Sequence, residues 1–297
     1  ADFATLDAWT PVAGQYKSCL SCGVFRIGDK PQGKLTVDFK GDASGTYVNS
    51  TSEVIGRIVT SHLGADNLAA SDIDSDSFAA LSAANTAPIH YYTGSNPITA
   101  REVIDKLATA IGAIWYFSRT GALTVKRVEP PLRPTATIME ANISSRGGGL
   151  KRVTPEQPTY EHRIRWGVNH TPMSENEIAP AVTSVDREFL NAGERYAVSE
   201  NVGDTSEASV RSKFRKARAL QIESFFVAES DAQEEADRRQ AIWGLPRHRY
   251  TVPVTDGLFA YWVGDVVSLD LDRFGLSGGK NLLVVSVNEN AKQNQAT

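Results

Sequence analysis

The chain has 297 residues, 41% of them hydrophobic and 22% charged, with a formal net charge of −4. That is room for two domains with separate cores, and the acidic balance argues against a general duplex-binding surface. No run approaches the ~18 apolar residues of a membrane span.

The chain opens at Ala1 rather than Met, with no leader-like stretch, so a fragment of a longer chain is expected. Residues 1–45 read as part of a β domain. Val24 to Ile27 is a short strand, and Leu35, Val37 and Phe39 alternate with Thr36, Asp38 and Lys40 before a break at residues 41–45. The two cysteines, Cys19 and Cys22, have C-x-x-C spacing. No second ligand pair accompanies them, and the strand that follows does not suit a thioredoxin-like helix, so two small, partly buried thiols are expected.

Residues 46–129 change character. Ser50 and Glu53 form a capping-box pattern ahead of Val54, Ile55, Ile58, Val59 and Leu63, with Gly64 as the stop. A short helix is expected around Phe78 and Leu81. A second capping box, Thr99 with Glu102, opens a helix with Ile104, Leu107, Ala108 and Ile111 inward, and Gly112 ends it. The runs 114–117 and 123–128, joined by Ser118-Arg119-Thr120-Gly121, predict a hairpin. Together these make a small α+β module.

The Pro-rich connector 129–134 is the expected boundary, and 130–297 is expected to be one β domain. Residues 135–138 read as a strand. Tyr160, His162, Ile164, Trp166 and Val168 alternate with charged residues as a half-buried strand, expected to join the C-terminal strands in one antiparallel barrel or curved sheet. Residues 171–218 are polar and read as an excursion from it, with strand returning at 220–227. A helix over 230–243 ends at Gly244, with Pro246 beyond. Three strand-like runs follow, at 249–254, 266–271 and 282–287. The last is nearly continuous apolar, as for a strand covered on both faces. Phe274-Gly275-Leu276 and Gly278-Gly279 are expected to supply positive φ.

Several chemical motifs fall short. Asp72, Asp74 and Asp76 have the spacing that opens an EF-hand loop, but Ser77 and Ala83 stand where Gly and Glu are needed, so an acidic helix cap is expected. The basic run from Arg211 to Arg218 reads as a solvated face or an interface charge partner rather than a nucleic-acid contact. Gly275-Leu276-Ser277-Gly278-Gly279 matches G-x-S-x-G, but a strand rather than a helix follows, which predicts a hairpin loop. Glu234 and Glu235 lie on a polar helix and are expected to face water. No catalytic, cofactor or metal residues are assigned, and no cofactor is expected.

The order of pieces at the C-terminus is a polar helix ending in W-G-L-P, a strand, an apolar link, G-D-V-V, an R-F-G-L loop, G-G-K and a closing apolar strand. It resembles the C-terminal part of the tail hub (baseplate hub or tail-tip) proteins of long-tailed bacteriophages. The stretch G-V-F-R-I-G-D-K-P-Q-G-K-L-T-V-D-F-K-G resembles the same family, and the helical module matches one that those proteins carry between β domains. The resemblance implies an α+β, predominantly β fold, with tail-tube-like antiparallel β-barrel domains and an inserted α+β module. It implies a non-enzymatic virion protein of the tail tip, assembled in the host cytoplasm as a homotrimer. Its partners would be a distal tail or tube protein above, a tape-measure protein in the lumen and tip or fibre proteins below. It would line the DNA-ejection channel without sequence-specific nucleic-acid binding. On this reading the subunit-interface residues are Tyr261, Trp262, Val266, Val267, Leu269, Val284 and Val285, with barrel core as the alternative role, above all for the valines. Two other readings stay open. A tail-associated cell-wall or capsule hydrolase would show a cleft with two carboxylates. A carbohydrate- or receptor-binding β module would show an aromatic platform around Trp115, Tyr116, Trp166 or Trp262.

Overall fold

The computed structural model describes residues 2–31, 33–35, 46–94, 96–130, 133–144, 149–153, 157–200, 210–255, 258–291 and 295–297. In chain order the elements begin with α1 (Phe3–Asp7), β1 (Tyr16–Cys19), β2 (Val24–Ile27), α2 (Thr51–Ser61), α3 (Ser75–Ala84), α4 (Ala100–Ala110), β3 (Ala113–Phe117) and β4 (Leu123–Arg127). They continue with β5 (Ala136–Met139), β6 (Lys151–Arg152), β7 (Glu161–Trp166), α5 (Ser184–Asn191), β8 (Arg195–Glu200), α6 (Val210–Lys213), β9 (Ala219–Phe226) and α7 (Glu229–Trp243). Short strands close the chain: β10 (Tyr250–Thr251), β11 (Val254–Thr255), β12 (Val266–Asp270), β13 (Lys280–Leu283), β14 (Glu289–Asn290) and β15 (Gln295–Ala296). The strand expected from Leu35 to Phe39, apart from Leu35 itself, and the break at 41–45 lie outside the described residues.

Two compact units form: residues 1–41 with 169–193, and residues 42–168 with 194–297. In the first, Asp2 caps α1 by accepting from the Thr5 amide at 2.7 Å, and β1 pairs with β2 antiparallel, Tyr16 opposite Ile27. Residues 169–193, most of them within the expected 171–218 excursion, supply α5, capped by Thr183, and a 3-10 turn at Glu175–Glu177. The Glu177 carbonyl accepts from the Lys34 amide at 3.0 Å.

The second unit holds the helical module. Both capping boxes close as their sequences specify: Ser50 accepts from the Glu53 amide, Thr99 from the Glu102 amide, and each glutamate reaches back to its cap. The apolar faces behind them, Ile55 and Val59 on α2 and Ile104 and Leu107 on α4, meet Leu81 of α3 and Leu123 and Val125 of β4. That core continues to Ile164, Ile222, Phe226, Ala232 and Ala236, and so draws residues from both sides of the Pro-rich connector.

The strand at 160–168 does not join the C-terminal strands. As β7 it is central in a three-stranded sheet, antiparallel to β8 and parallel to β9, with α7 packed on it. The physical reason is its inner face: Ile164 and His162 are fully buried, and the alanines of α7 let a helix lie close against that sheet. A second, smaller core gathers Ile138, Leu150, Val254, Val267, Leu269, Leu271 and Leu276. Here β12 lies between β13, antiparallel, and β5, parallel. The architecture is α+β, as expected. Among the described residues its sheets have two or three strands each, and none closes into a barrel.

Two C-terminal runs depart from expectation. The 249–254 strand breaks at Pro253, which has no amide hydrogen to donate, and its halves pair in different sheets as β10 and β11. The 282–287 run is not covered on both faces: β13 is an edge strand, and Val285 is 53% exposed. The loop before it follows the sequence, with positive φ at Phe274, Gly275, Gly278 and Gly279.

Candidate functional site

The β3–β4 hairpin turns at residues 118–121, where the Ser118 amide donates to the Ala122 carbonyl and Gly121 takes φ 85°. This turn lifts Arg119 toward the loop at 258–265. The guanidinium lies 4.0 Å from the centre of the Trp262 ring and 4.8 Å from that of Phe259. It donates to the Phe259 carbonyl at 3.0 Å and pairs with Glu289. Glu289 also accepts from the Phe259 amide at 3.0 Å, so Phe259, at φ 63°, is held on both of its peptide groups. A left-handed φ on an aromatic residue persists only when its surroundings fix it.

In the same loop, Trp262 stacks on Tyr116, centroids 5.5 Å apart with 18° between planes. The Trp262 amide donates to Asp265, whose other oxygen meets the Lys126 ammonium at 2.6 Å. Burial alone would lower Lys126, but the Asp265 and Tyr116 contacts outweigh it and hold the ammonium above its usual range. Gly264, at φ 87°, completes the junction: a Cβ there would meet Ile114 at 3.0 Å and Lys126 at 3.1 Å. Aromatic stacking, two ion pairs and a close-approach glycine thus join the hairpin to the C-terminal loop.

The structure spreads the expected interface residues over different environments. Val267 and Leu269 lie inside the second core. Tyr261 and Val284 pack half-buried against it, and Val266 sits half-buried opposite Leu283. Trp262 is engaged by Tyr116 and Arg119 within the same chain. Val285 keeps an open side chain.

A second constellation was missed from sequence. Glu234 is exposed as expected, but Glu235 is buried, its side chain 1% exposed. Its carboxylate takes Arg127 at 2.7 Å, Arg238 at 2.7 and 2.8 Å, and Arg239. The spare guanidinium donors go to carbonyls at the C-terminal end of α4: Arg239 to Thr109 and Ala110, Arg127 and Arg238 to Ile111. These are the carbonyls a helix end leaves without partners, and they carry its negative pole. Burial alone would raise the Glu235 carboxyl, but the guanidiniums, Arg238 foremost, hold it below the usual carboxylate range. Burial lowers Arg239 against the pull of Glu235. The missed signal was spacing: Ala232, Glu235, Ala236 and Arg239 recur on one helical face. Beside this node the fully buried His162 pairs through Nδ1 with Gln240 at 2.6 Å, and its Nε2 has no partner among the described residues; burial pushes the imidazole below its ordinary value.

Elsewhere the motifs resolve into local structure. Asp74 caps α3 through the Ser77 amide and accepts from the Thr124 hydroxyl. Ser277 donates to Asp272 in a loop that leads into β13. The cations of the 211–218 run are exposed, with Arg211 5.1 Å from the Tyr160 ring centre. A groove of about 630 Å³ between α4 and β3 is lined by Arg101, Asp105, Trp115 and Phe117 among others. Its single carboxylate, Asp105, accepts from the Trp115 indole at 2.7 Å. Of the four aromatics named for a platform, Trp115 and Tyr116 both line this groove and Tyr116 also stacks on Trp262, while Trp166 lies on β7 under Arg195.

No family model matches this chain, and no curated protein matches it. Among solved structures it is similar to a tail protein from Neisseria meningitidis MC58, at 12% identity and a TM-score of 0.41 over 71% of this chain and 56% of that one. It is also similar to the 43 kDa tail protein of prophage MuSo2 from Shewanella oneidensis, at 14% identity and a TM-score of 0.39 over 70% and 56%. The match spans little more than half the length of either protein.

Proposed function

We propose that this chain is a structural protein of a phage tail, working by assembly rather than by turnover, and that its place is the hub of the tail tip. The observation that carries an assembly role is the surface of the 1–41/169–193 unit. There Phe3 is 58%, Tyr16 74%, Leu20 89% and Val185 75% exposed, while Leu6, Cys19, Met173 and Ile178 are its buried hydrophobic residues among those described. So many open apolar side chains on so small a unit support a contact role for them. The hub assignment itself rests on the resemblance of two distant stretches, residues 23–41 and 245–289, to that family.

In this reading three copies close a ring that continues the tail tube, joins it to tip or fibre proteins, and surrounds the path of the ejected DNA. Val285 and the apolar face of the first unit are the contact residues we assign to it. The test is the mass of the purified chain by light scattering beside a variant carrying Tyr16→Ser and Leu20→Ser. The expected result is a multiple of 32.2 kDa for the parent chain and a single copy for the variant, with unchanged circular dichroism. Equal masses for the two would remove this face from the assembly.

A further inference from the structure

The turn between β1 and β2 carries both cysteines of the chain. Cys19 ends β1, residues Leu20–Cys22 make one turn of 3-10 helix, and Gly23 at φ 63° lets β2 begin. Cys19 itself keeps an extended backbone (φ −113°, ψ 96°), and the tight turn after it brings the Cys22 thiol to the Cys19 sulfur as a hydrogen-bond donor. The Ser21 hydroxyl touches both sulfurs, at 3.3 Å from Cys19 Sγ and 3.8 Å from Cys22 Sγ. Access differs sharply: Cys19 is fully buried and Cys22 is exposed. The ends of a four-residue turn lie within ~7 Å of each other, which overlaps the Cα separation a disulfide spans.

We propose that Cys19 and Cys22 form a thiol–disulfide exchange site that reacts with a small soluble disulfide, such as oxidised glutathione, and closes to an intramolecular disulfide across this turn. The exposed Cys22 sulfur, as thiolate, attacks one sulfur of the soluble disulfide. That S–S bond breaks, and the first small thiol leaves with the proton Cys22 gave up. The Cys19 sulfur then attacks Cys22; the mixed disulfide breaks, and the second small thiol leaves with the proton from Cys19. Two protein thiols are oxidised to one disulfide, and one soluble disulfide is reduced to two thiols.

Access, rather than acidity, sets these roles. The Cys22 thiol and the Ser21 hydroxyl donate to the Cys19 sulfur and hold it below the usual thiol range; the same bond to Cys19 raises Cys22. Ser21 remains as a donor after Cys22 is capped. Burial keeps Cys19 from meeting the soluble disulfide first, so it acts as the resolving sulfur. The product ties a two-stranded hairpin, an element of marginal stability by itself, at its connecting turn.

The experiment is intact-mass spectrometry after incubation in buffers of graded reduced and oxidised glutathione, with free thiols trapped by iodoacetamide under denaturing conditions. The parent chain should pass from two trapped thiols to none without retaining glutathione. Cys19→Ser should stop at one glutathione, on Cys22, and Cys22→Ser should take glutathione at least tenfold more slowly. Amide hydrogen exchange over residues 16–27 of the parent chain, which needs no variant, should slow on oxidation. Two trappable thiols persisting in oxidised glutathione, a stable double adduct, a disulfide between two chains, or equal adduct rates in the two variants would each overturn the proposal.

Discussion

Arg119 and Glu289, 170 residues apart in the chain, form an ion pair that fastens the β3–β4 turn to the strand β14. Around that pair the guanidinium also covers Trp262 and Phe259 and satisfies the Phe259 carbonyl. Arg119→Ala should therefore cost about 2 kcal/mol, the scale of charge-assisted hydrogen bonds plus a partly exposed cation–π contact. Arg119→Lys should restore less than half, because an ammonium cannot fork between a carboxylate and a carbonyl while lying flat on a ring. Urea unfolding at constant m-value checks both, and a lysine variant at parental stability would show that charge alone suffices.

Glu235 is the buried anion of a cluster with Arg127, Arg238 and Arg239, and the more exposed Glu129 pairs with Arg127 at 2.8 Å from its rim. Glu235→Gln leaves Arg238 and Arg239 without their carboxylate and Arg127 with Glu129 alone, and breaking a buried pair in this way costs about 3–5 kcal/mol. Its neighbour Glu234 is exposed, so Glu234→Gln should stay within about 0.5 kcal/mol of the parent. Equal effects in a urea titration would place Glu235 in solvent.

His162 gives stability a pH dependence of predictable sign. Its folded imidazole titrates below the ordinary 6.5, with burial the main cause. The unfolded chain therefore binds the extra proton first, and stability present above pH 6.5 is lost as pH falls toward the folded value. Glu235, also lowered in the folded state, adds a second loss beginning below its ordinary 4.5. His162→Gln should flatten the slope between pH 7 and 5 in denaturation midpoints and leave the more acidic loss in place. An unchanged slope would mean that other groups set it.

Two glycines with nearly the same backbone angle separate strain from crowding. Gly121 has φ 85° and open space where a Cβ would go; Gly264 has φ 87° and Ile114 and Lys126 within 3.0 and 3.1 Å. Gly121→Ala should cost about 1 kcal/mol, the backbone term alone, and Gly264→Ala about 2–3 kcal/mol. Parallel thermal unfolding measures the difference, and equal losses would mean that the hairpin yields freely to the loop.

What could be read from the chain was local. Ser50 with Glu53 and Thr99 with Glu102 are complete instructions for a helix start, and Gly275, Gly278 and Gly279 for a reversal, because each acts on its own backbone within a few residues. Partner choice was not local. The alternation at 160–168 fixes a buried face but not its neighbour, and the parallel partner β9 arrives some fifty residues later. Glu235 escaped because a carboxylate on a polar helix reads as solvated; only Arg127, 108 residues away, turns that face inward. Among the residues expected at an interface, Val267 and Leu269 carry the apolar signal shared by core and contact surface, and both lie in the second core.

The most direct test of the account is negative-stain imaging of the purified chain, with its solution mass measured on the same sample. Closed rings with three-fold symmetry, a central hole and a mass of three 32.2 kDa copies are expected. A monomer at every concentration, together with release of labelled fragments from bacterial cell-wall polymer, would contradict it and make the chain a tail-associated hydrolase.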